Sequence, residues 1–236
     1  MKKLVIVCEG RTEVKLLENL LYERLEKSFY PIIAVTLPTG ENQDGGAAKG
    51  GFRSSGGYSF ALRHLVYTLK LHKGSVFTMF FDLYGFPKDI ACSLNAEKIP
   101  DPIEKVLLYE QQIKSDVYLE CGTNTIFIPY IQPCESEAFL FVDPRLSALV
   151  MANSDTNSDR YASRMTEIRS SYISPEHINA EKGPSKHLED IFKNYRKNKV
   201  GRGGFSWRAA KEIGLDAICK ECEHFSEWLT RLENHA

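Results

Sequence analysis

The stretch Lys3-Leu4-Val5-Ile6-Val7-Cys8-Glu9-Gly10-Arg11-Thr12-Glu13-Val14-Lys15-Leu16-Leu17 decides the fold. Its first six residues form a short, almost unbroken apolar run rich in Val and Ile, the signature of a strand buried on both faces. Glu9 to Glu13 interrupt that run. Leu16, Leu17, Leu20, Leu21 and Leu25 then recur at a helical period. The segment therefore reads as strand, tight turn, helix, with Gly10 permitting close backbone approach at the turn.

Outward from this unit the same alternation continues. Strands are expected at residues 32–37, 76–81 and 125–131, with helices at about 58–71 and 102–114 between them. Strands separated by helices at these spacings imply right-handed crossovers and a mostly parallel sheet, so the core is α/β. After residue 131 the pattern becomes helical, at about 135–141, 144–151, 161–170, 185–195 and 207–232. The expected organisation is an α/β core over residues 1–141, with helices flanking a central sheet, and a helical C-terminal extension over 142–236 packed on it. Residues 153–158 are polar and turn-rich and read as a connector.

The chain has 236 residues, 43% of them apolar and 26% charged, ordinary values for a globular protein and unlike a disordered or collagen-like chain. No apolar run approaches the ~18 residues of a membrane span. The Lys2-Lys3 start with its apolar run is too short for a signal peptide, so a cytoplasmic protein with no membrane partner is expected. Six scattered cysteines in such a chain are expected to be reduced thiols.

The formal net charge is only -1, but its distribution is uneven. Nine bases lie between Lys182 and Lys211 against two acids, Glu189 and Asp190. With Tyr195, Phe205 and Trp207 interleaved, this stretch has the composition of a single-stranded nucleic-acid surface, phosphates meeting cations and bases stacking on rings. A solvated helix face followed by a loop accounts for the same residues.

Glu9 and Asp82 each follow a strand, at the carboxyl edge where open α/β sheets bind ligands. Glu135 and Glu137 follow the fourth strand and project from the same edge. Carboxylates without an accompanying histidine favour a hard cation, Mg²⁺ or Mn²⁺, over zinc. The plainer alternatives are a helix N-terminal charge for Glu9 and a turn or capping residue for Asp82. Residues 40–57 hold seven glycines with Lys49 and Arg53. Their backbone N–H groups suit phosphate wrapping, although no Gly-x-x-x-x-Gly-Lys-Ser/Thr signature is present; a disordered loop is the alternative, and a loop ordered only by substrate would be both. In Gly183-Pro184-Ser185-Lys186-His187, Ser185 is expected to cap a helix and to set Lys186 and His187 in its first turn, where a nearby phosphate or metal-bound carboxylate would give a cation a function; an exposed basic residue on a helix is the plainer alternative. Cys219-x-x-Cys222 with His224 lacks the second half of a zinc site and is explained by one helix face.

The run Val7-Cys8-Glu9-Gly10-Arg11-Thr12-Glu13-Val14-Lys15-Leu16-Leu17 resembles the first motif of the Toprim (topoisomerase-primase) domain. A larger part of the chain resembles a bacterial family, domain of unknown function 4276. The matching stretches are residues 81–87, 128–141, 183–188, 213–216 and 222–229. The resemblance implies a Toprim-like fold related to the nuclease half of anti-phage systems of the overcoming-lysogenization-defect type, partnered by an ABC-class ATPase. By that carry-over Glu9 matches the Toprim glutamate and Asp82 the first aspartate of its Asp-x-Asp motif. Tyr84 stands where the second aspartate would be, and Glu135 or Glu137 is the expected replacement. The expected activity is Mg²⁺- or Mn²⁺-dependent phosphodiester hydrolysis of DNA or RNA. Glu9, Asp82, Glu135 and Glu137 would hold the metal. Lys186, with Lys49 or Arg53, would stabilise the transition-state charge, and Lys193, Arg196, Lys197, Lys199 and Arg202 would track the nucleic-acid backbone. A non-catalytic adaptor or sensor partnering the ATPase, and phosphoryl transfer with Asp82 as acceptor, are the other readings.

Overall fold

Strand β1 (Lys2–Cys8) is the centre of the architecture, and every residue from Leu4 to Cys8 is buried. The computed structural model to which it belongs describes residues 1–37, 57–152, 156–178, 182–192, 195 and 205–236. After β1 come α1 (Arg11–Leu20), α2 (Tyr22–Leu25), β2 (Phe29–Thr36), α3 (Gly57–Leu71), β3 (Val76–Asp82), α4 (Lys88–Ser93), α5 (Pro102–Cys121), β4 (Phe127–Ile128) and β5 (Ile131–Gln132). The helices α6 (Pro144–Ala152), α7 (Ser158–Ser170), α8 (Pro184–Ile191), α9 (Phe205–Ile213), α10 (Leu215–Glu221) and α11 (Glu223–Glu233) complete the described chain.

The strands lie in the order β2-β1-β3-β4, with β5 also paired to β3, and the pairings are parallel. An α/β fold with a parallel sheet flanked by helices and a C-terminal helical region is thus the architecture, and it is consistent with a Toprim-like arrangement. β1 and β3 have partners on both sides, and both are buried throughout from Leu4 and Val76 onward, which is why they read as unbroken apolar runs.

Alternation within those runs distributes the core between two faces. Leu4, Ile6, Cys8, Val76 and Phe80 join α1 and the C-terminal helices in one apolar cluster. Val5, Val7, Phe77, Met79 and Phe81 join residues of α3 and α5 in the other. Among the described residues no helix is long and apolar enough to cross a membrane. Cys8, Cys121, Cys134, Cys219 and Cys222 are free thiols.

Several elements differ from the sequence expectation, each for a local reason. The strand expected at 125–131 is two short pieces, β4 and β5, held beside β3 in one register (Thr78 with Ile128, Phe81 with Ile131). Pro129, which has no N–H to offer a ladder, lies in the break. Residues 136–141 form a 3-10 turn rather than an α-helix. The helix expected at 207–232 is divided into α9, α10 and α11, the first division falling at Gly214, whose φ of 88° ends α9 and precedes α10. Helix α8 begins at Pro184 with Gly183 as its cap, two residues earlier than a Ser185 cap allows; the ring of Pro184 already has the φ of a first helical residue.

Candidate active site

The register of the sheet brings the strand-end acids to one edge. Cys8 pairs with Phe80, so the chain leaves β1 through Glu9 and Gly10 beside Phe81 and Asp82. Asp82 pairs with Gln132, so β5 continues through Pro133 and Cys134 into Glu135 on the other side. Asp82 is 6% exposed, Glu135 3% and Glu137 2%; Glu9 is half-buried. Burial of three carboxyl groups at one edge is costly unless polar partners meet them.

Those partners come from the C-terminal region. The N–H of Ser185, in the first turn of α8, donates to Glu135 Oε2 at 2.8 Å. A helix start presents unpaired N–H groups and a partial positive charge, so the carboxylate occupies a favourable position there. Gly183 makes room for this approach, because a Cβ at that residue would lie 3.0 Å from Glu135 Oε2, a tight contact that the carboxylate would have to yield to. The Tyr195 hydroxyl donates to Glu137 Oε1 at 2.9 Å. Tyr195 is 6% exposed, so this ring is a core residue and not a surface on which a base stacks. Burial pushes its hydroxyl above the ordinary value, and Glu137 and then Glu135 add to the effect.

Cys134 lies among the same groups. Burial drives its thiol well above the usual value, and Asp82, Glu176 and Glu135 raise it further, against a lowering contact from Gln132. Asp82 and Glu135 therefore act electrostatically on one buried atom. Lys186 reaches out from α8 with its side chain 61% exposed and pairs with Glu189 at 2.8 Å. Its ammonium is favoured first by Glu189, and Tyr84 and Glu135 contribute as well. Tyr84 is 56% exposed in the 3-10 turn that follows Asp82.

Among the described residues no group of three or more His, Cys, Asp or Glu side chains is arranged to hold a metal ion. The donor set is nevertheless all oxygen, and Mg²⁺ is commonly held by one or two carboxylates completed by water and a substrate phosphate, with no closed protein cage. Lys49, Arg53, Lys193, Arg196, Lys197, Lys199 and Arg202 lie outside the described residues, as do residues 153–155 of the expected connector.

A second set of buried polar side chains was not singled out in the sequence. Glu110 is 3% exposed, and its Oε1 accepts from the N–H of Ile131 at 2.8 Å and lies 3.0 Å from His224 Nε2. Glu176, 1% exposed, accepts from the N–H groups of His224 and Phe225, both at 3.1 Å. Those two bonds satisfy the first turn of α11 in the way a capping side chain does, but from a distant segment. The only sequence signal was the position of His224 beside Cys222, and Cys222 is a buried core thiol.

No curated protein and no solved structure matches the chain. A family model, Domain of unknown function (DUF4276), matches residues 8–233. With the strand-end acids, the 3-10 turn over residues 136–141 and all the C-terminal helices inside that span, the chain belongs to the DUF4276 family.

Proposed function

We propose that the chain is a metal-dependent nucleic-acid phosphodiesterase, a Toprim-like nuclease acting in the cytoplasm as the effector of an anti-phage pair with an ABC-class ATPase. The observation that carries the reading is the buried Asp82 flanked by Glu9 and Glu135 at the carboxyl ends of neighbouring parallel strands. The resemblance of residues 7–17 to the first Toprim motif agrees with it. Glu9 and Asp82 would hold a Mg²⁺ or Mn²⁺ ion, with Glu135 or Glu137 taking the part of the acid missing at Tyr84. Such an ion neutralises charge on a phosphate and acidifies a water molecule. Lys186, exposed above Glu135, stabilises the charge that develops on the phosphoryl oxygens.

An adaptor role is the second reading, and a specific observation favours it. Glu135 and Glu137 are each engaged by a protein donor, Ser185 N–H and Tyr195 OH, as structural carboxylates would be. The test is cleavage of labelled single-stranded RNA, tRNA, single-stranded DNA and plasmid with Mg²⁺ or Mn²⁺. The expected result is metal-dependent cutting by the wild type that is lost in Glu9→Gln and Asp82→Asn, with an unchanged melting temperature. Lys186→Ala should lower kcat by about 10²–10³-fold. Folded Glu9→Gln and Asp82→Asn proteins that cut like the wild type would remove the assignment. No cutting by any of them, even with the partner ATPase present, selects the adaptor.

A further inference from the structure

The two edges of the sheet are built differently. At one edge β4 and β5 have two residues each, short enough to offer little to a further strand. At the other, β2 pairs with β1 on one side, and among the described residues no strand lies on its other side. The first part of β2 is blunted by Pro31 and by a register irregularity opposite Lys2 to Leu4. From Ile32 to Thr36 the register is unbroken, Leu4 standing beside Ile32 and Cys8 beside Thr36. Ile32, Ile33, Ala34 and Val35 are only half-buried and Thr36 is exposed, although the β1 residues beside them are all buried.

One bond fixes the direction of the backbone groups. The N–H of Leu37 donates to the carbonyl of Cys8 at 3.0 Å, so Leu37 turns its peptide groups toward β1, and Val35 and Ile33 do the same by alternation. Ile32, Ala34 and Thr36 therefore direct their N–H and C=O groups away from the sheet. Among the described residues these groups meet no backbone partner. Edge strands are commonly protected by a charged side chain. The run from Phe29 to Leu37 contains no charge at all.

We propose that β2 pairs with β2 of a second copy of this chain, antiparallel about a two-fold axis at Ala34, so that two sheets become one. In that register Ala34 meets its own copy and Ile32 meets Thr36 in both directions, an exchange of about six backbone hydrogen bonds. Ile33 stands across from Val35, two β-branched side chains of the kind that pair well between strands. The missing charge selects a second copy as the occupant. A two-fold axis sets side chains near their own copies, where a charge would be repelled, whereas a different protein steered by charge finds none on this edge. Closed two-fold dimers are also the commonest soluble homo-oligomers. The pairing does not depend on the nuclease reading.

Sedimentation velocity and light scattering of the full chain test the proposal, with a particle of twice 26.8 kDa expected at micromolar concentration. Ala34→Pro removes an N–H that points away from β1 and leaves the β1–β2 ladder in place, so it is expected to give a monomer with the wild-type circular-dichroism spectrum. Thr36→Lys, a change at an exposed position, is expected to raise the dissociation constant of the dimer at least about tenfold. The register has its own readout. Ala34→Cys is expected to form an intermolecular disulfide on mild oxidation, above the wild-type background, because facing residues in a hydrogen-bonded antiparallel pair have Cα atoms about 5.5 Å apart. Ile33→Cys, which faces Val35, is expected not to. The cysteine variants decide the matter if Ala34→Pro does not fold. A monomeric wild type, an unchanged dimer in Thr36→Lys, or an Ala34→Cys protein that crosslinks no more than the wild type would overturn the proposal.

Discussion

Asp101 shows how much one side chain organises. It precedes α5, its Oδ1 accepts from the N–H groups of Ile103 at 2.8 Å and Glu104 at 3.0 Å, and Pro102 fills the first helical position. These bonds, that from Glu104 foremost, hold its carboxyl below the ordinary value of 3.8, and His177, 3.5 Å from Oδ2, contributes to the lowering. A carboxyl depressed in the folded state contributes stability above its unfolded value, and that contribution is lost as pH falls through the folded one. Asp101→Ala should therefore cost about 1 kcal/mol at neutral pH. The deficit should shrink below pH 3.8. Urea unfolding of both proteins at neutral and acid pH measures it, and a deficit independent of pH would refute the linkage. Asp101 with its Pro was readable as a helix start. The partners of Glu135 and Glu137 were not, since Ser185 and Tyr195 are about 50 residues away and nothing local points to them.

At the scale of elements, the attachment of α11 to the sheet turns on one hydrogen-bonded pair. The indole N–H of Trp228 donates to Thr78 Oγ1 at 2.8 Å, and that hydroxyl donates in turn to the carbonyl of Ile128 at 2.5 Å. Both side chains are fully buried, and Trp228 stacks on Tyr130 with ring centres 4.6 Å apart. Thr78→Val keeps the shape but leaves the indole N–H without an acceptor, which should cost about 1–3 kcal/mol. In a chain of this size that lowers the melting temperature by roughly 2–4 °C per kcal/mol. A Thr78→Val protein that melts with the wild type would show that the pair contributes nothing. Sequence reading saw Thr78 only as one more strand residue. It also joined α9, α10 and α11 into one helix, because their apolar period continues while Gly214 alters the backbone direction.

For the whole molecule, the parallel sheet divides its apolar residues between two clusters, and the cluster on one face is completed by helices that follow residue 142. Leu4, Ile6, Cys8, Val76 and Phe80 share their cluster with α1, and without Phe225, Trp228, Leu229 and Leu232 a large part of that cluster would face water. An exposed apolar face of that kind favours association over folding. A fragment of residues 1–141 should therefore show no cooperative thermal transition and should self-associate, as read by calorimetry and light scattering. A sharp, reversible transition in a monomeric fragment would establish the core as independent of the extension.

The apolar runs, the helical periods and their alternation were enough to specify an α/β sheet with a helical C-terminal region, because burial on both faces of a central strand leaves a mark in neighbouring residues. They also marked Glu9 and Asp82, since the end of each run names the residue at the sheet edge. The tertiary structure alone decided that Glu135 meets the start of α8, that Tyr195 is inside, and that Glu110 and Glu176 are buried carboxylates. Each depends on a donor supplied from far along the chain, and hydrogen bonding at such separations has no periodicity to read.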